Sequence, residues 1–125
     1  MCKSLADYVF LDCTSSLDDP LSVYGMAAAD KAVQLVTPDI RSAAYYASFE
    51  KTYEQIKSKS IGVINITDKD LYLPVGEVKA GFSNAKYILP YSMYLKQQYI
   101  TGELTHKIPD QKFSAVCRGI AGAVL

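Results

Sequence analysis

Short apolar runs alternate with longer amphipathic stretches along most of the chain. Four runs are rich in β-branched or aromatic residues and stop at a polar residue or a proline; they are residues 8–11, 31–36, 61–64 and 87–89. Unbroken apolar runs of this length are typical of strands that are covered on both faces, as in a parallel sheet. The pattern therefore predicts four strands.

Helices are predicted between and after these strands. The sequence Asp18-Asp19-Pro20 offers an acidic N-cap and a proline in the first turn, which predicts a helix that runs to about Asp30. Apolar and aromatic residues recur at helical spacing through residues 40–57, which predicts one helix there. Three further helices are predicted at residues 75–80, 93–100 and 111–123.

The order of these elements indicates the fold class. Strands that alternate with helices favour an α/β fold, with a mostly parallel sheet flanked by helices and joined by right-handed crossovers. We find no internal repeat or flexible linker, so a single compact domain over residues 1–125 is the interpretation.

Composition agrees with a globular protein and limits its class. Of the 125 residues, 50% are hydrophobic and 21% are charged, which excludes a disordered tail. Acids and bases balance at 13 each, so no excess of base requires a nucleic-acid partner. The three cysteines are far apart, so their spacing is typical neither of a disulfide framework nor of a metal site. No apolar run is long enough to cross a bilayer. We therefore expect a cytoplasmic protein without a transmembrane segment.

Polar residues follow the predicted strands at the point where each one ends. They are Asp12, Thr37 with Asp39, Asn65, and the run Pro90-Tyr91-Ser92. Open parallel sheets bind ligands beyond the carboxyl ends of their strands, so these residues are predicted to gather around one site. Asp12 is suited to hold a metal-bound water, or alternatively to cap its own loop. Asn65 is suited to read adenine through its amide, or alternatively to form a turn.

Several motifs, in order, resemble the MinD/ParA family of P-loop ATPases. The run from Asp7 to Ser16 resembles the Walker B and switch II segment of that family. Later similarities are the pair Ala29-Asp30, the triplet Thr37-Pro38-Asp39, Ser42, the strand end Val63-Ile64-Asn65, the run from Leu89 to Ser92, and Gly102-Glu103-Leu104. The similarity covers nearly the whole chain.

The resemblance implies a partial P-loop NTPase (Rossmann-like) fold and roles for individual residues. Asp12 would be the catalytic carboxylate, bound through water to Mg²⁺, and Cys13, Thr14 and Ser15 would belong to switch II. The adenine of ATP would contact three residues, namely Asn65, Pro90 and Tyr91. The resemblance further implies a positioning or partition system, a homo-oligomer such as a dimer, and a partner protein, DNA or a membrane surface.

Two departures from the family weaken the prediction of ATPase activity. No Gly-Lys-Thr/Ser sequence is present, so the phosphate-binding loop and its lysine are missing. The segment after Asp12 also lacks the glycine that is common in switch II. We therefore expect the chain not to hydrolyse ATP. Without the P-loop strand, two strands of the sheet would also have unpaired edges. We therefore predict that the chain is a fragment, pairs with a partner, or has a rearranged sheet.

Other interpretations remain open. The chain could be a degenerate, non-catalytic scaffold, like the atypical ATPase-like proteins that localise pilus assembly. A receiver-type domain is disfavoured because the first predicted strand ends with only one acidic residue, Asp12. The lone histidine, His106, has no neighbour at metal-ligand spacing. The surface lysines are interpreted as a solvated surface, with a DNA-facing patch as the alternative.

Overall fold

The computed structural model describes residues 5–14, 16–70, 72–82, 84–103 and 109–125. The chain forms two compact units, Met1–Asp30 and Lys31–Leu125. The first contains helix α1 (Pro20–Ala28). The second contains, in chain order, β1 (Ala32–Val36), α2 (Ile40–Ser48), α3 (Glu50–Ile56), β2 (Ser60–Asn65), α4 (Val75–Gly81), β3 (Ala85–Leu89), α5 (Met93–Thr101) and α6 (Gln111–Val124).

Helix α1 begins where the sequence predicts it. The side chain of Asp19 accepts a hydrogen bond from the backbone N–H of Ser22, and Pro20 occupies the first helical position. A carboxylate at the N-cap satisfies an N–H group that has no partner inside the helix, and proline has no N–H to leave unpaired. The predicted helix start is therefore confirmed, with Asp19 as the cap.

The strand predicted at residues 8–11 is wrong. These residues adopt no regular structure, and the side chains of Tyr8, Val9, Phe10 and Leu11 are exposed. An apolar run becomes a strand only when a neighbouring strand supplies hydrogen-bond partners for its backbone. No strand of the described chain pairs with this run, since the sheet there contains three strands. Asp12 consequently does not lie at the tip of a strand.

The three other predicted strands form a parallel sheet in the order β1-β2-β3. The register pairs Val36 of β1 with Ile64 of β2, and Asn65 of β2 with Leu89 of β3. Strand β2 is central and its first five residues are buried, which explains its unbroken apolar sequence. The prediction of an α/β fold with a parallel sheet flanked by helices is confirmed.

Helices cover the sheet on two faces and form two small cores. On one face Ile64 packs with Val78 and Phe82, and Tyr46 of α2 lies against this cluster. On the other face Val63 packs with Leu89 and Phe113, together with Leu95 of α5 and three residues of α6, namely Val116, Cys117 and Ile120. None of the helices in the described ranges is long and apolar enough to span a bilayer.

The helix predicted over residues 40–57 is divided in two. Phe49 leaves the helical region with φ −114° and ψ 17°, so it ends α2 and precedes α3. Its ring packs against Tyr45 with 4.8 Å between centroids. A short 3₁₀ turn, Lys57–Lys59, then leads into β2. Spacing alone did not predict the break because the aromatic residues keep helical intervals across it.

Candidate functional site

The parallel register brings polar residues of Lys31–Leu125 to the carboxyl end of the sheet. Val36 and Ile64 are partners, so Thr37 and Asn65 follow at the same level, and Asn65 is itself the partner of Leu89. The structure therefore places Thr37, Asn65 and Pro90 at one end of the sheet. Asp12 belongs to the other unit and follows no strand.

A hydrogen-bonded group closes the corner between β1 and α2. The Thr37 hydroxyl donates to the Asp39 carboxylate, and the backbone N–H of Ser42 donates to the same carboxylate at 2.8 Å. The backbone N–H of Thr37 donates in turn to the Ser42 hydroxyl oxygen at 3.1 Å. The hydrogen bond from Thr37, followed by that from Ser42, lowers the pKa of Asp39 below its ordinary value of 3.8. The carboxylate thus caps α2 and carries a negative charge at its N-terminus.

Lowering the pH should remove this contribution of Asp39 to stability. Its folded-state pKa is depressed, so the stabilisation is present above the unfolded-state pKa of 3.8 and is lost as the pH falls through the lower folded value. We expect an Asp39→Asn variant to lose less stability than the wild type between neutral pH and pH values below 3.8, because the amide oxygen still caps the helix without titrating. Chemical unfolding at several pH values measures this difference.

The matched control for that comparison is Asp70→Asn. Asp70 is an exposed aspartate in the loop after β2, and it caps no helix. This variant should keep the pH dependence of the wild type. An equal flattening in Asp39→Asn and Asp70→Asn would contradict the assignment to the helix cap.

The ends of β2 and β3 form a second corner, which is joined by a backbone hydrogen bond and not by a capping carboxylate. The backbone N–H of Ile66 donates to the Leu89 carbonyl at 3.0 Å, which joins the two strand ends. Asn65 is half-buried, and its amide makes no hydrogen bond to another described residue. The Tyr91 hydroxyl donates to Met93 Sδ at 3.6 Å. The ends of β2 and β3 therefore carry an amide on one strand, and a proline and an aromatic residue directly after the other.

Helix α5 starts directly after this corner. Ser92 is its N-cap residue but makes no capping hydrogen bond with its side chain. The hydroxyl is buried and has no hydrogen-bond partner among the described residues. The ammonium of Lys96 lies 6.0 Å from the centroid of the Tyr91 ring, which gives this end of the corner a positive charge.

In Met1–Asp30, the residues predicted to form switch II pack onto α1. The backbone N–H of Thr14 donates to the Ser22 hydroxyl oxygen at 3.0 Å, and the Ser22 hydroxyl donates to Asp19 at 2.6 Å. Cys13 approaches Gly25 so closely that a Cβ there would lie 3.2 Å from its sulfur. Thr14 and Cys13 thus have structural contacts, whereas Ser15 lies outside the described residues. His106 also lies outside them.

The two capping aspartates share a local sequence, although only Asp18-Asp19 is predicted as a cap and Asp39 is predicted as a polar residue of the site. Asp19 and Asp39 each stand three residues before a serine, Ser22 and Ser42, and each carboxylate accepts that serine's backbone N–H. The hydrogen bonds from Ser22 lower the pKa of Asp19 as well. An aspartate directly before a predicted helix, as at Asp19, would have identified Asp39 as a cap.

A cavity lies between α2 and α4, and Thr37 and Ser42 at the carboxyl end of β1 are among its lining residues. Its volume is about 240 Å³, and its walls are mainly apolar, with Val36, Tyr46 and Phe82 among them. Within the described ranges, no group of three or more His, Cys, Asp or Glu side chains is arranged to hold a metal ion.

Comparisons with known proteins identify no relative of this chain. No family model matches the chain, and no curated protein and no solved structure matches it either. The resemblance to MinD/ParA proteins therefore stays a prediction that rests on the residues quoted for it.

Proposed function

We propose that this chain is a MinD/ParA-like protein of a positioning or partition system, and that Lys31–Leu125 binds the base of an adenine nucleotide. The observation that carries the proposal is the parallel register, which brings Thr37, Asn65 and Pro90 to one end of the sheet. Ligands of open parallel sheets bind at that end. On this proposal the sheet is the later part of a P-loop NTPase-like fold.

The residues at the β2/β3 corner fit a purine base. The Asn65 amide has one acceptor and two donor hydrogens, which complement the donor and acceptor edge of adenine. Pro90 and Tyr91 are half-buried, follow the neighbouring strand β3, and would supply an apolar surface and an aromatic ring. A planar base gains both hydrogen bonds and stacking from such a set.

The same end of the sheet does not fit a triphosphate with Mg²⁺. The sequence has no Gly-Lys-Thr/Ser loop, and the N-terminus of α2 already carries the Asp39 carboxylate. A helix N-terminus attracts phosphate through free N–H groups and a positive dipole, and a capping carboxylate removes both advantages. We therefore propose base recognition without ATP hydrolysis.

Calorimetric titration with adenosine and with ATP plus Mg²⁺ tests this function. Both ligands should bind with similar, weak affinity, because the phosphates add little, and no phosphate should be released from ATP. Asn65→Ala should weaken binding about tenfold, as expected for the loss of hydrogen bonds to a buried base. Gln97→Ala, which removes an exposed amide on α5, is the matched control and should bind as the wild type does.

Three results would contradict base recognition without phosphate binding or ATP hydrolysis. The first is turnover of ATP, and the second is much tighter binding of ATP than of adenosine. The third is an Asn65→Ala variant that binds as the wild type does.

A non-catalytic scaffold is the second candidate, and a specific observation favours it. Thr14 and Cys13, which would sense the γ-phosphate in an active relative, instead pack against α1. A non-catalytic scaffold would retain these contacts with α1 and would not bind a nucleotide. Titration to millimolar adenosine and ATP without any heat of binding would support the scaffold, and the partner would then be another protein.

A further inference from the structure

Strand β1 has a bare outer edge. In the described part of the chain it pairs with β2 alone, so the backbone groups on its other side have no strand partner. Val33 and Leu35, which share one face of the sheet, are 43% and 62% exposed. None of the five residues of β1 is charged or a proline, so the strand lacks the usual protection against edge pairing.

We propose that the outer edge of β1 binds β1 of a second copy of this chain in antiparallel orientation, with Gln34 on the two-fold axis. The two three-stranded sheets then continue into one another. A two-fold contact uses the same surface in both copies, so it closes as a dimer and does not extend into a fibre. The inference does not depend on nucleotide binding.

The antiparallel register brings the exposed apolar side chains together. With Gln34 opposite Gln34 of the second copy, Val33 lies opposite Leu35 of the second copy, and Leu35 lies opposite its Val33. Directly opposed side chains of an antiparallel pair have Cβ atoms about 4.5–5.5 Å apart. The contact therefore brings together four apolar side chains, two from each copy. In a single copy these side chains are partly exposed to water.

Charge selects the antiparallel orientation over the parallel one. In the antiparallel register Lys31 lies opposite Thr37 of the second copy, whose hydroxyl donates to the Asp39 carboxylate. The ammonium of one copy then lies near an acid of the other, twice by symmetry. In-register parallel pairing would place Lys31 against Lys31 of the second copy, and like charges that face each other across a strand pair are destabilising.

Light scattering during size-exclusion chromatography, over a wide range of concentration, tests the dimer. The mass should rise from 13.8 kDa towards twice that value as the concentration increases. Leu35→Lys should raise the dissociation constant at least about tenfold, because it puts two charges into the apolar contact. Leu21→Lys makes the same change on α1, at a leucine that is 81% exposed, and should leave the dissociation constant unchanged. A monomer at every concentration, or equal dissociation by both variants, overturns the proposal.

Cysteine cross-linking tests the register. In a background without the native cysteines, Val33→Cys and Leu35→Cys chains are oxidised separately and as a mixture. Opposed residues of an antiparallel pair have Cα atoms about 4.5–5.5 Å apart, within the range that a disulfide spans. The mixture should form a disulfide-linked dimer, and each variant alone should stay monomeric under denaturing conditions. Cross-linking of Val33→Cys alone would indicate parallel pairing and overturn the proposal.

Discussion

Replacing Gly62 by alanine is expected to destabilise Lys31–Leu125 by about 3 kcal/mol or more, or to prevent its folding. An added Cβ would lie 2.6 Å from the carbonyl oxygen of Asn84 and 2.8 Å from the Phe82 ring. The strand cannot move away, because the Gly62 N–H donates to that same carbonyl at 3.0 Å and β2 is held between β1 and β3. Urea unfolding followed by circular dichroism measures the change in the free energy of unfolding.

Gly122→Ala is the matched control for this substitution. Gly122 is exposed on α6, and a Cβ there would have no atom within 4 Å. Alanine in a helix is favoured over glycine by about 0.5–1 kcal/mol, so this variant should be slightly more stable than the wild type. If Gly62→Ala were as stable as Gly122→Ala, the close approach of Asn84 and Phe82 to Gly62 would be wrong.

Truncation of Ile64 to alanine should have the second largest effect, about 2–5 kcal/mol. The side chain of Ile64 is fully buried and packs with Val78 and Phe82 beneath α4. Removing its outer carbons loses the free energy of burial and leaves a cavity that the flanking strands hold open. The free energy of unfolding from urea titration again provides the measurement.

Ile100→Ala makes the same chemical change where burial is slight. Ile100 lies on α5 and is 72% exposed, so its loss should change stability by no more than about 0.5 kcal/mol. A cost for Ile64→Ala that is no larger than that for Ile100→Ala would show that β2 does not form the centre of the core.

Much of the sheet and most helix boundaries could be predicted from the sequence. The three apolar runs from residue 31 onwards became strands, because each of them has a parallel neighbour to complete its hydrogen bonding. The helix start at Pro20 followed from local chemistry, since the aspartate before it caps the helix, and the start at Ile40 followed from helical spacing. Such signals act within a few residues, so the sequence displays them directly.

Features that depend on distant partners could not be predicted. The run at residues 8–11 has the composition of a strand, but composition does not reveal whether a neighbouring strand is present. The residues of the predicted site also separate into those that the sequence placed correctly and those that it did not. Thr37, Asn65 and Pro90 lie at one end of the sheet because parallel order alone places them there, whereas the expected position of Asp12 required residues 8–11 to form a strand.

The tyrosines of the α2 and α3 region also provide a spectroscopic reporter. The chain contains no tryptophan, so tyrosine dominates its near-ultraviolet absorption. The Tyr46 ring stacks on Tyr53, with 5.0 Å between centroids and 8° between planes, and meets the edge of Phe82 at 4.7 Å. Rings fixed in such an asymmetric array couple their electronic transitions, so near-ultraviolet circular dichroism follows the docking of these helices separately from backbone helicity.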